Sequence, residues 1–358
     1  MIYTTPPAKA KGRRLLELDV LRGGAAVAVL LGHYTTLYDH LNGVQDRLGF
    51  EFTIGGYGVF LFFVISGFVI KMTIDRCNNW RDFAVSRFSR IFPAYWVALA
   101  ITFLFLLWLK EEPPSILQLV ANLTMLQRFF GIQHIDAVYW TLNVELSFYI
   151  WIMLARICGL LNNINLLVSL ALLFQLFISL LQSHLGIRFS QGIQAVFLLE
   201  YVNLFSAGIL FFEIWSKRGN IASWVLILWC LFNVPFIPFR EFPCQPPQSW
   251  GVGATLAIFV IFWMAINSKL TWMVSRVTLY LGAISYSLYL IHDEVGRAVM
   301  NRLSDMGYSP HATFMVALAL SIILATLITY LVEKPAMKFL RRVYAQFKTD
   351  ESASNHSH

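Results

Sequence analysis

Apolar runs of membrane-crossing length recur along the chain. They cover roughly residues 19–38, 53–73, 91–109, 138–157, 164–182, 192–215, 222–239, 250–267, 277–293 and 312–333. A bilayer core of about 30 Å is crossed by about 20 apolar residues of helix. The pattern therefore predicts an all-α membrane protein with about ten transmembrane helices. The polar stretches between the runs are short, the longest being 110–137, so no soluble domain fits between spans. Within that stretch an apolar piece, 116–125, is too short to cross and predicts a re-entrant or surface helix. Residues 74–90 interleave four arginines with Trp80, Phe83 and Phe88 and predict an interfacial helix. The expected organisation is a basic tail over 1–14, a membrane domain over 15–343 and a disordered tail over 344–358. The start has no signal-peptide pattern.

Composition agrees with this pattern. The chain is 58% hydrophobic and 13% charged, with a mean hydropathy of +0.63. Its net charge of +7 reads as topology and not as nucleic-acid binding. With the N-terminus inside and ten alternating spans, 20 of the 27 Lys and Arg residues fall on the inner side and seven outside. The positive-inside rule selects this orientation, with both termini cytoplasmic. Cys77, Cys158, Cys230 and Cys244 share no metal-type spacing and suggest neither a disulfide framework nor a zinc site.

Ionisable residues inside the apolar runs are the candidate chemistry, because they are costly there and tend to face a bundle interior or water cavity. Arg22 and His33 lie eleven positions apart in the first run. That spacing puts them on one helix face, within about 20° and about 16 Å apart along the axis. His33 falls in the outer half of the bilayer and is a candidate general base. The competing reading is an interhelical hydrogen bond. Asp19, three residues before Arg22, can pair with the guanidinium. Glu145 begins the fourth span, near the outer side, with Trp140, Asn143 and Tyr149 close by. It is a candidate to orient His33 and stabilise its imidazolium, against a structural pairing with an arginine. Arg87 and Arg90 share a helical face just before the third span, where two guanidiniums suit phosphates. Either alone would serve as a positive-inside anchor. Ser285, Tyr289 and His292 share a face of the ninth span and, with Asp19, Asn143 and Tyr149, are expected to line a polar cavity; the competing reading for the ninth span is hydrogen bonding between helices. Glu333-Lys334-Pro335 reads as a helix end with proline as breaker. His40, His134, His184 and His311 read as surface residues in external loops, and His356 and His358 as tail.

Taken in order, these segments resemble the bacterial acyltransferase-3 family of integral-membrane O-acyltransferases. The resemblance runs from LDVLRGGAAVAVLLGHY at 18–34, through GVFLFFVISGFVI at 58–70, SRFSRIFPAYW at 86–96, YWTLNVELSFY at 139–149 and ISYSLYLIH at 284–292, to LVEKPAMKFLRR at 331–342. It implies ten core helices in a bacterial inner membrane; some members carry a fused SGNH-type domain, and none is expected here, where no loop is long enough for one. It further implies acyl-CoA as a cytoplasmic co-substrate, with acetyl-CoA the default and no tightly bound cofactor or metal. The acceptor is a hydroxyl of a surface glycan or lipid-linked saccharide. His33 is then the catalytic residue, with Arg87 and Arg90 near the donor; the reading of the residues themselves adds Glu145 as the group that orients His33 and Arg22 on the donor side. Direct transfer and an acyl-imidazole on His33 both remain open. The rival from another class is a secondary transporter that uses the same buried charges as substrate or proton sites.

Overall fold

The computed structural model describes residues 15–44, 46–109, 113–187, 189–234 and 248–355. Among the described residues every regular element is helical. The main helices are α1 (Leu16–Gly32), α2 (Tyr57–Ile74), α3 (Trp80–Leu109), α4 (Ile116–Leu123), α5 (Trp140–Ile157), α6 (Ile164–Leu185) and α7 (Gln191–Val196). They continue as α8 (Val202–Trp215), α9 (Ile221–Phe232), α10 (Gln248–Ile266), α11 (Arg276–Ile291), α12 (Asp293–Asp305), α13 (Pro310–Leu327) and α14 (Lys334–Asn355). Six helical stretches among the described residues are long and apolar enough to cross a membrane: 16–41, 53–74, 80–109, 137–157, 160–185 and 310–349. Three shorter apolar helices, 202–215, 221–232 and 250–266, accompany them. This is the fold of a multi-pass membrane protein. The tail over 1–14 and His356 and His358 lie outside the described residues, as does Cys244.

The starts of the helices follow from local chemistry. Ser115, Asn220 and Ser275 form capping boxes with the residues three positions on. Asn163, Ser190 and Ser309 accept from the backbone N–H groups of Leu166, Ile193 and Ala312. Each satisfies an orphan donor of the first turn.

α1 sits between α2 and α11, and α2 packs in turn on α8. These contacts are close because glycine stands where they touch. A Cβ on Gly282 of α11 would strike the Asp19 backbone of α1. Gly67 and Gly208 meet at the α2–α8 crossing, where a Cβ on Gly67 would strike the Phe205 carbonyl. Small residues let membrane helices approach to backbone contact. The outside of the bundle is apolar instead. α6 turns Leu166, Leu170 and Phe177 outward, and Trp108 of α3 is 80% exposed. Such surface suits lipid and is costly in water.

Several expectations change in detail. The arginine-rich segment is no separate helix: α3 runs unbroken from Trp80 to Leu109, with Pro93 inside it. The 192–215 run breaks at Leu198, which has φ of 55°, leaving the short α7 and the longer α8. The 116–125 piece is the surface helix α4, with Ile116 and Leu117 exposed. The chain does not break at Pro335. It passes through a π-helical stretch, Ile328–Glu333, directly into α14. α14 stays helical to Asn355, beyond the boundary expected at 343, because Tyr344 and Lys348 bond Asp82 of α3.

Candidate functional site

α1 carries the two residues that its spacing singled out, and the structure gives each a separate environment. Arg22 lines a sizeable cavity among the described residues. His33 lies beyond it as the first residue of a π-helical stretch, His33–Leu37, that continues α1. π turns insert an extra residue per turn and are frequent at functional sites. The second described π stretch ends on Glu333, which lines the cavity.

His33 is buried, and its Nδ1 stands 3.1 Å from Oδ1 of Asp293. Asp293 opens α12 and is fully buried. Arg297, one turn on, donates from Nε to Asp293 Oδ1 at 2.7 Å and reaches Glu294 Oε1 at 2.7 Å. The backbone N–H of Glu294 donates to Asp136 Oδ2 at 3.1 Å, so the loop before α5 fixes the start of α12. Burial, reinforced by Asp293 and Glu294, pushes the Asp136 carboxyl well above the usual carboxylate range. The ring of His292 lies 5.0 Å from that of His33. Its Nδ1 is 3.1 and 3.0 Å from the Leu288 and Tyr289 carbonyls, which makes Nδ1 the protonated nitrogen. Tyr34 OH donates to the His292 carbonyl at 2.7 Å and pairs with Ser321 Oγ at 2.7 Å. His33 also lines a small recess with Gly32, Thr36, Phe52 and Gly56.

The cavity has a volume of about 500 Å³. Asp19, Arg22, Arg87, Arg90 and Glu145 line it, and so do Tyr149, Ser285 and Tyr289. Two expected lining residues are elsewhere. Asn143 is spent on the Met125 carbonyl, which it holds where the backbone turns through φ of 59°. His292 sits against His33. Tyr289 joins the two regions: it lines the cavity, accepts from Thr141 Oγ1 at 3.0 Å, and has its ring 5.8 Å from that of His292.

Glu145 stands apart from His33. It accepts from Tyr149 OH at 2.6 Å and from Ser66 Oγ at 2.8 Å, both cavity residues. The Arg87 guanidinium lies 5.9 Å over the Tyr149 ring. The carboxylate that meets His33 is thus Asp293, and Glu145 belongs to the wall among the arginines. The physical reason is its partners: the Tyr149 and Ser66 hydroxyls, on α5 itself and on α2, hold the carboxylate to the cavity wall. Arg90 is ion-paired with Glu333, whose other oxygen accepts from Ser287 Oγ at 3.0 Å. Glu333 is therefore a cavity residue and not a helix end.

Sequence reasoning missed Asp293, Arg297, Glu333, Asp136 and Tyr34. The signal for the first two was present in HDEVGR at 292–297, where an acidic residue follows a histidine and an arginine stands at i+4. His134 is also not a surface residue. It is half-buried, with Nδ1 2.8 Å from Gln127 Nε2, and burial together with Arg128 lowers its pKa from 6.5 to about 4. His40, His184 and His311 are exposed as expected. Among the described residues no group of three or more His, Cys, Asp or Glu side chains could hold a metal ion.

Comparison with known proteins agrees with this architecture. The chain is 25% identical to nodulation protein 10 of Rhizobium leguminosarum bv. viciae, over 92% of its length and 95% of that protein's. It is 26% identical to the exopolysaccharide production protein ExoZ of Rhizobium meliloti (strain 1021), over 82% and 93% of the two chains. A shorter stretch, 26% of this chain and 27% of the relative, is 33% identical to an O-acetyl transferase of Shigella phage Sf6. No solved structure matches significantly. The family profile described as an acyltransferase domain matches residues 15–331, nearly the whole of the helical bundle, and the chain belongs to this acyltransferase-3 family.

Proposed function

We propose that this acyltransferase moves an acyl group, acetyl in the simplest case, from cytoplasmic acyl-CoA to a hydroxyl of an extracytoplasmic glycan or lipid-linked sugar. The reading takes ten membrane crossings in a bacterial inner membrane, with both termini cytoplasmic. Each of the ten expected apolar segments carries helix among the described residues. The observation that carries the reading is the division of α1 between two environments: Arg22 in an arginine-lined cavity, and His33 beside Asp293 farther along the same helix. Relatives named for exopolysaccharide production and O-acetyl transfer support a glycan acceptor.

The chemistry follows from the pairing of His33 with Asp293, 3.1 Å apart. The tautomer that faces the carboxylate with a protonated Nδ1 leaves Nε2 as the basic nitrogen. It takes the proton of the acceptor hydroxyl as the oxygen attacks the thioester carbonyl. The C–S bond breaks, an ester C–O bond replaces it, and the proton passes from the imidazolium to the departing thiolate. Asp293, held by Arg297, fixes the tautomer and stabilises the imidazolium. Arg87, Arg90 and Arg22 serve the donor side, where guanidiniums match phosphate and carbonyl oxygens.

The test uses oriented proteoliposomes of wild-type and His33→Ala protein, with labelled acetyl-CoA supplied only to the face bearing the C-terminal helix. Label reaching a glycan acceptor on the opposite face in wild type alone supports the reading. Solute movement without thioester loss, in protein that binds no acyl-CoA, refutes it in favour of a transporter.

A further inference from the structure

The basic end of the cavity is lined in part by α14, which contributes Lys334, Met337 and Arg341. The two arginines that α3 brings to this end are not equivalent. Arg90 is ion-paired with Glu333, which is itself 1% exposed, so much of its charge is already met inside the protein. Arg87 has no carboxylate partner among the described residues; it donates to the hydroxyl of the neighbouring Ser86, at 3.2 Å, and lies over the face of Tyr149. A ligand with several negative charges therefore meets one uncommitted guanidinium on α3.

Arg341 supplies a second. Its Nε reaches Ser89 Oγ at 3.4 Å, a long contact, and no carboxylate among the described residues pairs with it. Ser89 is fully buried and directly precedes Arg90. The contact thus sets Arg341 against the segment that carries Arg87 and Arg90, and both of these charges act on the Arg341 guanidinium. Cations gathered this way repel one another, and an anion between them relieves the repulsion. α14 is also fastened where it crosses the start of α3. Asp82 accepts from Tyr344 OH at 2.9 Å and from Lys348 Nζ at 2.8 Å. The helix that brings Arg341 to the cavity is therefore docked at two levels.

We infer that the C-terminal helix is part of the donor site, and that Arg341 and Arg87 together grip the phosphates of a coenzyme A thioester. This rests on the acyl-CoA reading above. The paired planar forks suit a diphosphate, which each can meet with two parallel hydrogen bonds. The cavity behind them, walled by Val59, Phe62 and Val69 among others, offers an apolar passage for the uncharged remainder of the donor.

The experiment compares two donors on full-length protein in nanodiscs. One is a thioether analogue of acetyl-CoA. The other is the same analogue of acetyl-pantetheine, which lacks every phosphate. Calorimetry gives both affinities. Arg341→Gln is expected to weaken the CoA analogue by about ten- to a hundredfold, the loss of charge-assisted hydrogen bonds, and to leave the pantetheine analogue unchanged. Arg341→Lys keeps the charge without the fork and is expected to fall between. Arg342→Gln, which removes the same charge one position along, is expected to change neither. Unaltered CoA affinity in Arg341→Gln overturns the clamp alone, as does an equal loss for both donors, which marks a structural role. Wild-type protein that binds neither analogue overturns the clamp and the acyl-CoA reading together.

Discussion

Asp293→Asn is the sharpest perturbation of the site, because it changes one charge with almost no change in volume. Asp293 Oδ1 lies 3.1 Å from His33 Nδ1, and the carboxylate is fully buried. Two opposite unit charges at that separation interact by about 5 kcal/mol at an effective dielectric of about 20. The interaction exists only once His33 has taken a proton, so it acts on the transition state more than on the resting enzyme. Arg297 shares the same carboxylate at 2.7 Å and offsets part of it. The expected loss in kcat is therefore about two to four decades, at about 1.4 kcal/mol per decade. The amide adds a second fault. Its NH2 can donate to Nδ1, which moves the imidazole proton to Nε2 and removes the base.

The assay is acyl transfer at saturating acyl-CoA, with donor affinity and thermal stability measured alongside. Asp293→Asn is expected to bind acyl-CoA normally and to turn over slowly. Glu145→Gln is expected to do the reverse in kind: its carboxylate lines the cavity with Tyr149 and Ser66, so donor KM moves more than kcat. A folded Asp293→Asn protein with kcat within threefold of wild type refutes the assignment. So does a Glu145→Gln protein with the larger loss in kcat at unchanged donor KM.

Two further outcomes follow from packing and burial. Gly67→Ala places a methyl group on the Phe205 carbonyl at the α2–α8 crossing; a destabilisation of about 1–3 kcal/mol is expected from overpacking, and a melting temperature in detergent within 1 °C of wild type (about 0.3 kcal/mol) would contradict the close approach. His134 has a pKa of about 4 against an ordinary 6.5, so between those values the unfolded chain binds a proton that the folded chain does not. Its contribution to stability is complete above pH 6.5 and is lost as the pH falls toward 4. His134→Gln is expected to flatten the stability profile in that window alone, and an unchanged slope would show that His134 titrates normally.

What the sequence made legible was whatever one helix determines by itself. Arg22 and His33 share a face because eleven residues is close to three whole turns, and α1 is regular until it reaches His33. The apolar runs mark the helices because burial in lipid dictates their length. What stayed hidden depends on neighbours distant in sequence. Asp293 meets His33 across 260 positions, and no periodicity relates them. Glu145 was expected at the His33 level from its place near the start of a span, but depth in a bundle depends on how each helix is seated. Tyr149 and Ser66 show that its carboxylate lies with the cavity. Glu333 read as a helix end because proline follows within two residues. The π stretch carries the helix past that point and turns the carboxylate inward to Arg90. The extra residue in a π turn is set by packing, and the local sequence ITYLVE gives no warning of it.

The glycines that hold α1 to α11 matter to the chemistry although they are far from it. His33 follows directly on α1 and Asp293 on α11, with His292 as the link between α11 and α12. The backbones meet at Gly23 and Gly282, about 15 Å from His33 along the α1 axis. A side chain at Gly282 would have to move the Asp19 backbone. Any tilt about that contact is carried along the helix to the other end. A displacement of about 1 Å at a reacting group can cost two decades in rate. The 3.1 Å separation of His33 and Asp293 is therefore maintained by a backbone contact about three turns away, and by Arg297 and the Glu294 N–H, which pin the start of α12 from the other side. Small residues at 23 and 282 and charged residues at 33, 293 and 297 are then parts of one requirement: two helices held at a fixed distance, so that a base and its carboxylate meet.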